Sequence, residues 1–247
     1  MSLISAGFSL GGYKDLIHGL RKRGYRIADY DDVATDKRDV ILRHDIDISL
    51  ESAVAMAEAE REIDALGVYF FLLRSEFYNP FSARGARALE RILSLGHRIG
   101  LHLDAGLYND EIVRLEQAAA HEIDVFEKML GCEVSAVSFH RPAMALLERD
   151  GPIAGKPNTY AAKYFRDMGY CSDSRGAWRH GHPFDHAALK SGTALQLLTH
   201  PEWWTGEDNE DGALRLRRYL AERSDFLDKE LATHCRVHVA GKGRKRG

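Results

Sequence analysis

The chain has 247 residues, 45% of them hydrophobic and 29% charged, with a net charge of -3. That is the make-up of a soluble globular protein with room for one large α/β domain, and its charge balance gives no footing for a nucleic-acid partner. Cys132, Cys171 and Cys235 are too few and too scattered for a disulfide framework or a CxxC zinc site, no run reaches the ~20 apolar residues of a membrane span, and the start of the chain lacks a signal-peptide pattern, so the cytoplasm is the expected compartment.

Residues 1–38 read as a helical lead-in, because Tyr13, Leu16, Ile17 and Leu20 keep helical spacing and Gly24 can end the helix. Next comes Asp39-Val-Ile-Leu-Arg43-His44-Asp45-Ile-Asp47, an apolar run of strand length that breaks into ionisable groups. Alternation puts Arg43, Asp45 and Asp47 on one face and His44 on the other, where packing is its expected role. Two carboxylates on one face repel unless a metal or a shared proton sits between them. The plainer alternative is a strand end leading into a polar turn and a helix cap. Ser49 is placed to cap a helix reaching about Asp64. Val68 to Leu73 is a strand buried on both faces, and Ala88, Leu89, Ile92 and Leu93 mark a helix stopped at Gly96. Arg98 to Asp104 is a strand with His102 and Asp104 at its exit, preceded by His97 in a structural position.

Asn109 to Leu130 reads as a long helix stopped by Gly131, and Val134 to Phe139 as a strand ending in His140-Arg141-Pro142. Glycines and prolines make 143–158 an expected active-site loop. A helix around Tyr160 to Asp167 precedes a strand at 169–173. His180, His182 and His186 belong to a solvated loop. Leu195 to Leu198 is a strand ending in His200-Pro201-Glu202-Trp203-Trp204, and a last helix runs from about Glu210 to His234. Residues 241–247 form a basic tail, expected to be disordered. With no repeat or linker, the chain is expected to be a single domain.

Alternation of strand and helix predicts a parallel sheet, and the length favours a distorted (β/α) barrel of about seven parallel strands. Five strand exits carry Asp, His or Arg in order: Asp45 and Asp47, His102 and Asp104, His140 and Arg141, Asp173 and Arg175, then His200. In such folds the ligand site lies at the carboxyl ends of the strands, and imidazole with carboxylate is the ligand set of a catalytic zinc or similar ion. A single histidine of this kind is more often a satisfied structural residue; five polar exits in sequence are not.

These stretches resemble the motifs of the polysaccharide deacetylase superfamily, in family order over roughly residues 39–204. Arg43-His-Asp-Ile-Asp47 is similar to the first motif, Gly96-His-Arg-Ile-Gly-Leu-His102 to the second and Phe139-His-Arg-Pro142 to the third. Asp173-Ser-Arg-Gly-Ala-Trp178 and Leu197-Leu-Thr-His200 correspond to the fourth and fifth. The resemblance implies an incomplete (β/α) barrel and metal-dependent hydrolysis of an N-acetyl amide on a sugar or glycan precursor. It implies Asp45 as general base, Arg141 as the arginine that orients it, and His200 as general acid. Asp47 and His102 become metal ligands, while Asp173, Arg175, Trp178 and Trp203 line the substrate groove. One divalent metal, expected to be zinc, follows. Two positions differ from the family: Ile46 separates the aspartates, and Gly106 stands where a second histidine ligand is usual. The third ligand is therefore open between His140 and Asp104. A different metallohydrolase such as a phosphoesterase, with two or three metals, and a non-catalytic carbohydrate-binding relative are the alternative readings.

Overall fold

The elements follow in the order α1 (Leu10–Lys22), β1 (Arg26–Ala28), β2 (Asp39–Ile46), α2 (Leu50–Glu62), β3 (Val68–Phe71), α3 (Ala83–Ser94), β4 (Arg98–Asp104) and α4 (Ile112–Leu130). There follow β5 (Val137–His140), α5 (Met144–Leu147), α6 (Ala162–Phe165), β6 (Gly169–Ser172), α7 (Ala187–Ser191), β7 (Leu195–Thr199) and α8 (Gly212–His234). The structure is a computed structural model and describes residues 7–108, 111–178, 181–207 and 210–241. The expected helix start at Asn109, His180 and the basic tail from Lys242 lie outside the described residues. Among those described, the chain forms two units: one reaching residue 207, which holds every strand, and one from residue 210, which holds α8.

The helices start where the sequence supplies caps. Ser9, Ser49 and Ser82 each accept a backbone N–H three residues on, at 3.0–3.2 Å, which satisfies one of the donors orphaned at a helix start. β1 and α7 have no counterpart in the sequence reading, since three and five residues are too short to display a period.

All pairings are parallel, in the order β5-β4-β3-β2-β7-β6. β7 takes one edge of β2; β1 and β3 divide the other, opposite residues 39–41 and 43–46 respectively. The sheet curls into a half-barrel, a distorted (β/α) barrel with seven strands. Every residue of β2 is buried, as expected of a strand covered on both faces. Its inner face packs Ile41 with Val68, Phe70, Tyr30 and Tyr164. Its outer face packs Leu42 and Ile46 among residues of α1 to α4. Gly100 admits the ring of Phe70 to the interior, because a Cβ there would lie 2.3 Å from Phe70 Cδ1.

Between β5 and β6 the barrel lacks a strand, and the segment expected to be an active-site loop closes the gap instead. Val137 N–H donates to Pro157 O (2.8 Å) and Thr159 N–H to Val137 O (3.0 Å), a single parallel bridge beside β5. Gln196 of β7 donates to Thr159 O (3.1 Å) and Tyr164 O (3.0 Å) and accepts from Tyr30 (2.6 Å). A side-chain amide thus does the work of a ladder, and Ile153, Asn158, Thr159 and Tyr160 are buried. Among the described residues, no helix is long and apolar enough to cross a membrane.

Candidate active site

The side chains that converge at the carboxyl rim come from the strands the sequence singled out. Asp47 follows β2, His102 stands on β4 and His140 ends β5. Their ligand atoms, one from each residue, all lie within 4.8 Å of one another. His102 Nε2 and His140 Nδ1 are each 3.2 Å from Asp47 Oδ1, yet that buried oxygen accepts no hydrogen bond of acceptable geometry.

The far side of His102 fixes its tautomer. Its Nδ1 lies 2.6 Å from Ser138 Oγ, and that hydroxyl lies 3.4 Å from Asp45 Oδ1. An ionised carboxylate can only accept, so Ser138 donates to Asp45 and in turn accepts Nδ1–H of His102. The unprotonated Nε2 is then left on the rim side, beside the Asp47 oxygen but not aligned with it. Ligand atoms gathered this closely with no hydrogen bond among them, from one carboxylate and two imidazoles, fit a divalent metal with an open position. Burial pushes the His140 pKa down, but Asp47 outweighs this and raises it.

Asp45 sits behind this cluster, fully buried, with Oδ2 3.7 Å from His102 Nε2. Burial would raise its pKa, but the Arg43 guanidinium overrides that and keeps it ionised. Arg43 donates Nε–H to Oδ1 (3.0 Å) and Nη2–H to Oδ2 (2.7 Å), a bidentate clamp within one strand that the two-residue period makes possible. Arg43 is itself fully buried between the Phe70 and Tyr160 rings, with the Tyr160 hydroxyl 3.1 Å from Nη2.

His200 completes the rim. Its extended backbone, set by Pro201, turns the main-chain N–H onto both oxygens of Asp173 at 3.1 Å. Its Nδ1 meets Asp173 Oδ1 at 2.6 Å, which leaves Nε2 facing the site, 3.9 Å from Asp47 Oδ2. Trp204 donates Nε1–H to the other Asp173 oxygen (2.6 Å). Burial would push the His200 imidazole down, but Asp173 and then Asp47 outweigh it and raise its pKa to about 10. Two residues on, burial raises Glu202 to about 8, and its Oε2 has no hydrogen-bond partner.

Several expected roles fall elsewhere. Arg141 does not reach Asp45: its guanidinium is on Asp104 (Nε to Oδ1, 3.2 Å) and half exposed, and Arg43 clamps Asp45 instead. Asp104 is outside the ligand cluster, because it also caps the turn after β4 through Gly106 N–H (3.1 Å). Asp173 is fully buried and turned to His200 and Trp204, not to a groove. Arg175 is exposed in a left-handed conformation (φ 61°), with half-buried Trp178 and Trp203 on the same β6 and β7 exits. His182 and His186 each accept a backbone N–H through Nδ1 at the start of a short helical turn. Arg43 was detectable by alternation, being on the Asp45 face. Ser138 was not, since only the β4–β5 register sets it opposite His102.

No family model matches the chain, and no curated protein does. The chain is similar to several solved structures. The peptidoglycan deacetylase PdaC from Bacillus subtilis is 13% identical, with 83% of this chain and 98% of that chain covered and a TM-score of 0.42. The Streptococcus pyogenes deacetylase PplD in complex with acetate is 13% identical, with 77% and 82% covered and a TM-score of 0.42. A CE4 family pseudoenzyme from Bacillus anthracis is 14% identical, with a TM-score of 0.41. The match covers 78% of this chain and 63% of the pseudoenzyme, a little under two thirds of the latter's length.

Proposed function

We propose that this chain is a metal-dependent hydrolase of N-acetyl amides on sugars, with Asp47, His102 and His140 as the metal ligands. The observation that carries this reading is the unpaired Asp47 Oδ1, faced by two imidazole nitrogens at 3.2 Å beside a clamped, ionised Asp45. A divalent ion such as zinc, when bound, supplies Lewis-acid polarisation of the amide carbonyl and lowers the pKa of water.

The remaining steps belong to the chain. Asp45 accepts a proton from water as the water oxygen adds to the carbonyl carbon, and Arg43 keeps that carboxylate oriented. His200, protonated at neutral pH, gives its Nε2 proton to the amide nitrogen as the C–N bond breaks, leaving acetate and a free amine. Asp173 fixes the ring so that Nε2 faces the reacting bond. Arg175, Trp178 and Trp203 are placed to meet the sugar, the tryptophans through flat apolar faces.

The test is acetate release from acetylated amino sugars by zinc-loaded protein, with elemental analysis of wild type and His102→Ala. One ion per wild-type chain, none in the variant, and acetate release dependent on the ion are expected. Two or more ions per chain would favour the phosphoesterase reading, against which stands a single candidate ligand group among the described residues. Sugar binding without acetate release would favour the non-catalytic one.

A further inference from the structure

We infer that α8 pairs antiparallel with α8 of a second copy of this chain. Three properties of the helix lead there. Leu220, Leu227 and Leu231 are 60%, 46% and 50% exposed, and with Leu216 they fall within an arc of about 60° on the helix surface. A stripe of this kind on a 23-residue helix is the seam of a two-helix contact.

The spacing of the stripe names the partner. Leu216, Leu220, Leu227 and Leu231 are separated by four, seven and four residues, which reads the same in both directions. Laid antiparallel on itself, the helix sets Leu216 opposite Leu231 and Leu220 opposite Leu227, twice over, about a two-fold axis between Arg223 and Ser224. A parallel pair or an unrelated helix requires no such palindrome. A two-fold contact requires one, since each residue's partner must have the reciprocal partner.

Charge changes sign at that same axis. The first half of α8 carries Arg217 and Arg223 against Glu222, with Arg215 buried and Arg218 paired to Glu210 (2.8 Å); the second carries Asp225, Asp228 and Glu230 against Lys229. Basic residues at the start and acidic ones at the end oppose the helix macrodipole, so this order weakens a lone helix. In the antiparallel pair each basic half lies beside the acidic half of the other copy, and the two dipoles oppose as well. Arg217 and Asp228 then flank the seam on the same side, within about one helical turn of each other. Asp228 already accepts from His238 on one oxygen and from Gly241 N–H on the other, each at 2.7 Å, and a carboxylate has about four acceptor sites in all.

Light scattering on the full chain across a concentration series tests the inference. The 27.8 kDa chain is expected to run at about twice that mass, and Leu220→Glu or Leu227→Glu, each with wild-type circular dichroism, at the single mass. Arg217→Glu is expected to raise the dissociation constant about tenfold, because two symmetric ion pairs turn repulsive. Adding Asp228→Arg in the same chain restores the dimer by exchanging the signs, and this double variant keeps the test alive if a leucine variant unfolds. A chain monomeric at every concentration, a dimer that survives both leucine variants, or a failed rescue overturns it. So does a monomer whose melting temperature falls with Leu220→Glu, since the stripe would then pack against its own chain.

Discussion

The two faces of β2 carry polar groups of the same kinds, and they are organised in opposite ways. On the outer face, His44 meets Thr199 Oγ1 through Nδ1 (2.7 Å) and Glu60 through Nε2 (3.0 Å). Glu60 also accepts from Tyr13 (2.6 Å) and Tyr69 (2.7 Å). His97, above it, accepts Gly67 N–H and donates to Ala57 O, so it is neutral, and burial lowers its pKa. This network is closed: the Glu60 oxygens and the nitrogens of both imidazoles have protein partners. On the inner face, Arg43, Ser138 and Asp173 close off the far sides of Asp45, His102 and His200, while Asp47 Oδ1, His102 Nε2 and His140 Nδ1 converge with no hydrogen bond among them. A buried network that satisfies itself stabilises, whereas the inner face leaves Asp47 Oδ1, Arg43 Nη1 and Glu202 Oε2 buried without partners.

The sharpest way to separate the two faces is Asp45→Asn. Asparagine keeps the shape but takes no proton, so hydrolysis should fall about 10²–10⁴-fold while metal content stays at the wild-type level. Loss of metal in Asp45→Asn, with metal retained in Asp47→Asn, would exchange the roles assigned to these two aspartates.

Glu60→Ala breaks the closed face. It strands two tyrosines and a histidine in the core and should destabilise by about 3–5 kcal/mol in chemical denaturation, with metal binding by the folded fraction intact. The pH dependence has a definite sign. Burial raises the Glu60 pKa, but His44 and its other donors prevail and depress it. A depressed carboxyl contributes stability that is present above its unfolded pKa and lost as pH falls through the folded one. The wild type should therefore lose stability on acidification below the ordinary glutamate range, and Glu60→Gln should flatten that part of the curve.

His200→Ala separates proton donation from positioning. Acetyl-amide hydrolysis should fall by about 10²-fold or more, whereas an activated acetate ester, whose leaving group needs no proton, should lose little. Equal losses on both, or loss of bound metal, would remove His200 from the acid role.

The smallest effect is expected at Arg141→Ala. Its ion pair with Asp104 is half exposed, a class of pair whose removal changes stability by about 0.2–1 kcal/mol. Activity should stay near wild type, in contrast to Arg43→Ala, which strands Asp45 in the core. A large loss of activity in Arg141→Ala would return Arg141 to the site.

Sequence alone determined the periodic elements, the parallel α/β class and the rim on which the polar strand exits meet. Each of those follows from local spacing: alternation for Arg43, Asp45 and Asp47, a serine before α2, Gly131 after α4. It also placed Asp47, His102, His140 and His200 at strand exits, since the carboxyl end of a parallel strand is readable from where the apolar run stops. Only the tertiary structure decided which group touches which. Arg43 rather than Arg141 grips Asp45, because a bidentate reach depends on side-chain direction inside the barrel and not on order along the chain. Ser138 sets the His102 tautomer because the β4–β5 register makes them neighbours. Asp173 turns from an expected groove residue into the support of His200, and the 157–160 segment closes the barrel through Gln196. Pairings between residues 27 to 93 positions apart leave no periodic trace in the sequence, because strand order and register are settled by how the whole sheet packs.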